Sequence, residues 1–209
     1  MAAWLRVALL CALLVAAGGG QAKTARILIV GDSLSAEYGL PRDTGWVRLL
    51  ADRLAKEAPQ YSVVNASISG ETTSGGRTRL PQLLAQHQPV IVVLQLGGND
   101  GLRGLPLSAM RENLRAMSAA ARAAGARVLL VGMRVPPNYG REYAERFHAL
   151  YAEIAREERA ALVPFLLEGF ADDLGFFQGD RIHPAQRAQP LMLATVWKQL
   201  GPIVRARPN

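Results

Sequence analysis

Residues 25–35 read "ARILIVGDSLS". The apolar run at 27–30 is short and largely β-branched, which suits a buried strand better than a helix. It breaks at once into glycine and small polar residues. The same change occurs twice more: "YSVVNAS" (61–67) runs into "ISGETTSGG" (68–76), and "VIVVLQL" (90–96) runs into "GGNDG" (97–101). Helical spacing fills the intervals. "TGWVRLLADRLAKEA" (44–58) sets apolar residues at 46, 47, 50 and 54. Residues 72–87 follow as a second helix, one that contains the helix-weakening Gly75, Gly76 and Pro81. A third, from 107, carries Leu107, Met110, Leu114 and Met117, with Gly125 to close it. "ARVLLVG" (126–132) is a fourth strand, and the helix at 141–159 puts Phe147, Leu150, Tyr151 and Ile154 on one face. "ALVPF" (161–165) is a fifth strand, and residues 184–201 form a last helix, with Pro184 near its first turn and Gly201 after it. Strands alternating with helices predict a parallel sheet covered on both sides. The expected architecture is a three-layer α/β/α domain with a five-stranded parallel sheet. Strand order 2-1-3-4-5 would bring the three polar loops into one crevice at the carboxyl ends of the strands.

The chain has 209 residues, half of them hydrophobic, which suits one domain with a sizeable core. No repeat, linker or charge block divides it. Its net charge of +7 is scattered, mostly over arginines, with no basic stripe interleaved with aromatics, so no nucleic-acid partner is expected. The N-terminus differs. Arg6 precedes an apolar run of about eleven residues at 7–17, then "GGGQA", the layout of a secretory signal peptide. The run falls short of the roughly 20 residues a membrane-spanning helix needs. We expect residues 1–22 to be a leader cleaved before Lys23, leaving a single domain at 23–209, exported and without stable membrane insertion. The single cysteine, Cys11, lies within that leader, so the mature chain offers no thiol nucleophile, disulfide or cysteine metal site.

Polar, glycine-rich segments at three strand ends can be ordinary turns. A fourth segment bears on the choice. "GDRIHP" (179–184) puts Asp180 and His183 three residues apart, and His183 is one of three histidines. A serine hydroxyl is a poor nucleophile at neutral pH and needs a base. Histidine, with an ordinary pKa of about 6.5, can serve, and a carboxylate can fix its tautomer. By itself the Asp–His spacing also fits a capping aspartate and a surface histidine. His87 and His148 are read as surface or helix-face residues. The dinucleotide fingerprint, the phosphate-binding P-loop, the H-E-x-x-H zinc motif and the G-x-S-x-G elbow are all absent.

With these residues in view, the chain resembles the SGNH (GDSL-type) hydrolases. Four blocks occur in order: "GDSLS" with Ser33, "NASISGET" with Gly70, "LGGND" with Asn99 and "DRIHP" with Asp180 and His183. "GGNDGLRGLP" and "PPNYGREY" are similar to the bacterial periplasmic branch, whose members act as acyl-CoA thioesterase I, lysophospholipase L1 and arylesterase. The resemblance implies Ser33 as nucleophile, His183 as base and Asp180 as its orienting carboxylate. It implies an oxyanion hole from the Ser33 and Gly70 amides and the Asn99 side chain. Asp32 and Ser35 are read as scaffolding, and Asp100 as a hydrogen-bonding loop residue. No metal-ligand spacing appears, so neither metal nor cofactor is expected. The partner implied is a small acyl ester or thioester. Leu34, Tyr38, Leu40, Leu105, Leu107, Val135, Pro136 and Tyr139 could line an acyl groove, or pack as ordinary loop anchors. A carbohydrate O-acetylesterase with the same triad, and a binding module that kept the fold without the chemistry, are the alternative functions.

Overall fold

The computed structural model describes residues 24–206; the leader expected at 1–22 lies outside them. Five parallel strands run in the order β2-β1-β3-β4-β5, the order expected from the sequence. They are β1 (Ala25–Gly31), β2 (Tyr61–Asn65), β3 (Ile91–Gln95), β4 (Arg127–Val131) and β5 (Ala161–Val163). The central strands are covered on both sides, and Ile27, Leu28, Ile29, Val30 and Ile91, Val92, Val93, Leu94 have no exposed surface. That explains their continuous apolar runs, since a strand buried on both faces has no polar side to alternate with.

Helices α1 (Trp46–Glu57) and α6 (Gln189–Arg205) pack together on one face. On the other, α2 (Thr73–His87), α4 (Leu107–Ala123) and α5 (Arg141–Glu157) pack in that order. Each turns its apolar stripe inward: Trp46, Val47, Leu50 and Leu54 of α1, Met110, Leu114 and Met117 of α4, and Phe147, Leu150, Tyr151 and Ile154 of α5 are buried. Each such side chain contributes roughly 1.5–3 kcal/mol when fully buried. Among the described residues no helix is long and apolar enough to cross a membrane.

Helix α2 runs through Pro81 as expected, with Leu80 and Leu84 on either side buried. Two elements depart from the sequence reading. A short helix, α3 (Gly98–Leu102), stands where a loop was expected. The last helix is displaced: Pro184 forms a bridge with Phe177 ahead of it, Pro190 occupies its first turn, and it runs through Gly201 and Pro202 to Arg205. Burial of Leu200 and Val204 holds that final turn although Pro202 has no N–H to give it.

Candidate active site

Strand β1 ends at Gly31, which pairs in register with Gln95 of β3. A β-carbon at residue 31 would lie 2.8 Å from both Gln95 Oε1 and Ser35 Oγ, so glycine lets the chain turn tightly there. The Asp32 carbonyl accepts from the Ser35 and Ala36 amides, and Asp32 Oδ1 accepts from the Leu34 amide at 3.0 Å. Gln95 is fully buried and joins the turn to the sheet. Its Nε2 donates to Asp32 Oδ1 at 3.1 Å, and its Oε1 accepts from Ser35 Oγ at 2.6 Å. Asn65 Nδ2, at the end of β2, donates to the Ser35 carbonyl at 2.8 Å. Asp32 and Ser35 thus scaffold the turn, and Ser33 is left half-buried with its hydroxyl turned outward from that network.

The loop before α6 meets it. Asp180 Oδ1 accepts from the Ile182 and His183 amides, both at 3.0 Å. Asp180 Oδ2 lies 2.6 Å from His183 Nδ1, and His183 Nε2 lies 2.9 Å from Ser33 Oγ. Partial burial alone would raise the Asp180 carboxyl, but those two amides and the His183 ring outweigh it and hold the group at about 2. Gln178 locks the loops together, its Nε2 donating to the Tyr38 carbonyl at 2.8 Å while its amide donates to the His183 carbonyl at 2.8 Å. The Tyr38 ring sits 4.4 Å from the His183 ring.

Gly70 lies on the loop after β2, and Asn99, which lines the same cavity as Ser33, lies after β3. Gly70 has φ +79°, a conformation that favours glycine. Among the described residues neither the Ser33 amide nor the Gly70 amide donates a hydrogen bond. Asn99, on α3, is fixed by one Nδ2 bond to the Glu71 carbonyl at 3.0 Å, which leaves its second Nδ2 hydrogen to donate elsewhere. Helix α3 is itself pinned. Asp100 is buried and accepts from the Thr73 amide at 2.9 Å and from its hydroxyl at 2.5 Å. Among the described residues no cluster of three His, Cys, Asp or Glu side chains could hold a metal ion.

A cavity of about 1020 Å³ opens beside Ser33, Asn99 and His183. Of the groove residues named from the sequence, Leu34, Val135 and Pro136 line it. Tyr38, Leu105 and Tyr139 stand outside its wall. Tyr38 packs on His183, the Tyr139 hydroxyl donates to the Leu102 carbonyl at 2.8 Å, and the Leu105 carbonyl accepts from Tyr143 at 3.3 Å. Leu107 begins α4 and packs on the core. Much of the apolar wall comes instead from the segment after β5, through Phe165, Leu167, Phe170 and Phe177. The sequence signal for it was an aromatic-rich, non-periodic stretch at the carboxyl end of a strand. Gln95 was also missed; its signal was one amide inside an otherwise apolar strand.

Asp32 is 2% exposed. Burial pushes its carboxyl up to about 6, against the Leu34 amide, the Gln95 side chain and the charge of His183. The folded protein therefore binds this proton more tightly than the unfolded chain. The associated stability is present below the ordinary value of 3.8 and is lost as pH rises through about 6. Asn at this position keeps an oxygen for the Leu34 and Gln95 bonds and does not titrate. Between pH 4 and pH 8, Asp32→Asn is expected to gain on the order of 2–3 kcal/mol relative to the native protein. Unfolding free energies of both proteins across that range provide the check; parallel curves would refute it.

The profile of the GDSL-like lipase/acylhydrolase family matches residues 29–189. Esterase TesA of Pseudomonas aeruginosa is 52% identical over 184 residues, which cover 88% of this chain and 92% of that protein. Thioesterase 1/protease 1/lysophospholipase L1 of Escherichia coli is 45% identical over 178 residues, covering 85% of this chain and 84% of that protein. A crystal structure of TesA superposes with a TM-score of 0.83 at 53% identity, over 85% of this chain and 99% of that one. A profile that reaches from inside β1 to the first residue of α6, and relatives at this identity over most of the chain, settle the matter: the protein belongs to the GDSL-like lipase/acylhydrolase family and is a serine hydrolase acting on esters.

Proposed function

We propose that the protein is an exported fatty-acyl esterase and thioesterase that works through an acyl-enzyme on Ser33. The observation that carries this reading is the 2.9 Å contact from His183 Nε2 to Ser33 Oγ, continued by the 2.6 Å contact from His183 Nδ1 to Asp180. Ser33 Oγ attacks the acyl carbonyl as His183 takes its proton. His183 then returns that proton to the leaving alcohol or thiol. Asp180 fixes the tautomer and stabilises the imidazolium. The Ser33 and Gly70 amides and Asn99 Nδ2 hold the oxyanion that forms in between. A water molecule, activated by the same base, releases the acid.

The fatty-acyl preference is supported by the size of the cavity and by Leu34, Val135, Pro136, Phe165, Leu167 and Phe170 in its wall. Each methylene buried there contributes up to about 0.8 kcal/mol. On the mature protein, kcat/KM for aryl esters below their micelle concentrations is expected to rise from C2 through C8 by more than tenfold. A maximum at C2 with a steady fall would replace this reading with the O-acetylesterase. Export to the periplasm rests on the leader-like sequence at 1–22. Material purified from its own host for the same assay should begin at Lys23, and an intact Met1 would overturn export.

A further inference from the structure

Among the described residues, Arg53, Arg79 and Arg127 each enclose a guanidinium nitrogen that has no hydrogen bond. Arg53 pairs with Glu57 at 2.9 Å and lies over the Trp197 ring, and Arg79 pairs with Glu71 at 2.7 Å. Arg127 has no such support. Its side chain is half-buried, and its guanidinium has no hydrogen bond or ion pair among the described residues. A charge drawn partly out of water without a counter-charge costs free energy, and an anion beside it would offset that cost.

Arg127 is the first residue of β4 and lines a cavity of about 420 Å³ at the amino ends of β4 and β5. Ser33, Asn99 and His183 line the other cavity, at the carboxyl ends of the strands, so the two lie at opposite ends of the sheet. Two more arginines share the wall: Arg122 from the last turn of α4, and Arg159, which follows the cap of α5. Among the described residues no carboxyl group lines it. Glu158, buried and outside the wall, pairs with Arg122 at 3.1 Å, which leaves two of the three positive charges uncompensated. Arginines near helix ends often serve the last carbonyls, and Arg122 does so, donating to the Glu158 carbonyl at 3.0 Å. That role does not extend to Arg127, on a strand, and the Arg159 guanidinium makes no hydrogen bond to those carbonyls. We propose that this cavity is a binding site for a phosphate-type anion, held by Arg122, Arg127 and Arg159. Guanidinium groups suit such a ligand, because their planar donors match phosphate oxygens in pairs. Val128, Ala161 and Ile203 complete the wall and give an apolar portion of the ligand a surface to rest on.

The test titrates inorganic phosphate into the nitrogen-15-labelled mature protein, with sodium chloride holding the ionic strength constant. Amide shifts at Ala126, Arg127, Val128 and Ala161 are expected to move together and to saturate. Arg127→Gln and Arg159→Gln are each expected to weaken the affinity about tenfold. Arg159 is exposed, so Arg159→Gln reads the site even where loss of Arg127 disturbs β4. Arg42→Gln removes one charge from an exposed stretch after β1 and is expected to leave the affinity unchanged. Shifts that do not saturate, or that scatter over the surface, overturn the proposal. So does an affinity unchanged in Arg159→Gln, or reduced as much in Arg42→Gln. Sedimentation with phosphatidylglycerol vesicles then separates the sources. Binding that Arg159→Gln abolishes makes a lipid headgroup the natural ligand, and no binding makes it a soluble phosphate compound.

Discussion

Ser33→Ala is expected to lower kcat for an octanoyl aryl ester by roughly 10⁵–10⁶-fold, to background, with Tm nearly unchanged. The turn that carries Ser33 is held by Asp32, Gln95 and Asn65, and the one side-chain bond lost is the one to His183. No neighbour can take over. Ser35 Oγ is buried and engaged by Gln95 Oε1. His183→Ala is expected to lose activity to a similar order, and the double variant to lose nothing further, because a serine without its base and a base without its serine are one broken unit. Losses that multiply in the double variant would show that the two act separately. Labelling of Ser35 by a fluorophosphonate probe would move the nucleophile, and no labelling at all would return the chain to the binding-module alternative.

Asp180→Asn is expected to lower kcat by up to about 10⁴-fold, more than Asp180→Ala. The reason lies in the two amides that bind Oδ1. They would select the oxygen of an asparagine, turning its Nδ2 toward His183 Nδ1. A donor there forces the imidazole proton onto Nε2, where it can no longer accept from Ser33. Alanine leaves the ring free to choose its tautomer. Equal losses in the two variants would mean that charge alone matters. Because the Asp180 carboxyl is held at about 2, it stays ionised through the working range. Its contribution to stability is present above the ordinary value of 3.8 and is lost as pH falls toward 2. The native kcat/KM profile should accordingly show no step from Asp180 between pH 4 and pH 9.

The sheet was legible because its central strands are covered on both faces and so read as unbroken apolar runs. The strand order 2-1-3-4-5 is one that brings "GDSLS", "SGET" and "GGNDG" together at the carboxyl ends of neighbouring strands. Helix α3 was hidden by composition, since Gly98, Asn99, Asp100 and Gly101 are poor helix formers, and its fixture is the distant Thr73. The displaced start of α6 has the same cause. Pro184 looked like a first-turn proline, but Phe177 claims it for a bridge. The wall of the cavity was hidden most completely. Phe170 packs against Phe176 and Phe177 at 5.6 and 6.1 Å, contacts between rings rather than a backbone period. Sequence periodicity detects repeated backbone geometry and is blind to a wall built from irregular chain.

Ser33 and His183 meet across 150 residues of chain. Synthesis delivers them in that order. Once β4 has emerged, the turn, Gly70 and Asn99 all exist, and the protein still has no base. The Asp180–His183 loop is seated by α6, through the burial of Met192, Val196 and Leu200 and the bond from the Trp46 amide to Gln189 Oε1 at 3.0 Å. A chain without α6 lacks the element that seats its base. The base is thus the last part of the triad that synthesis delivers, and its seat comes later still.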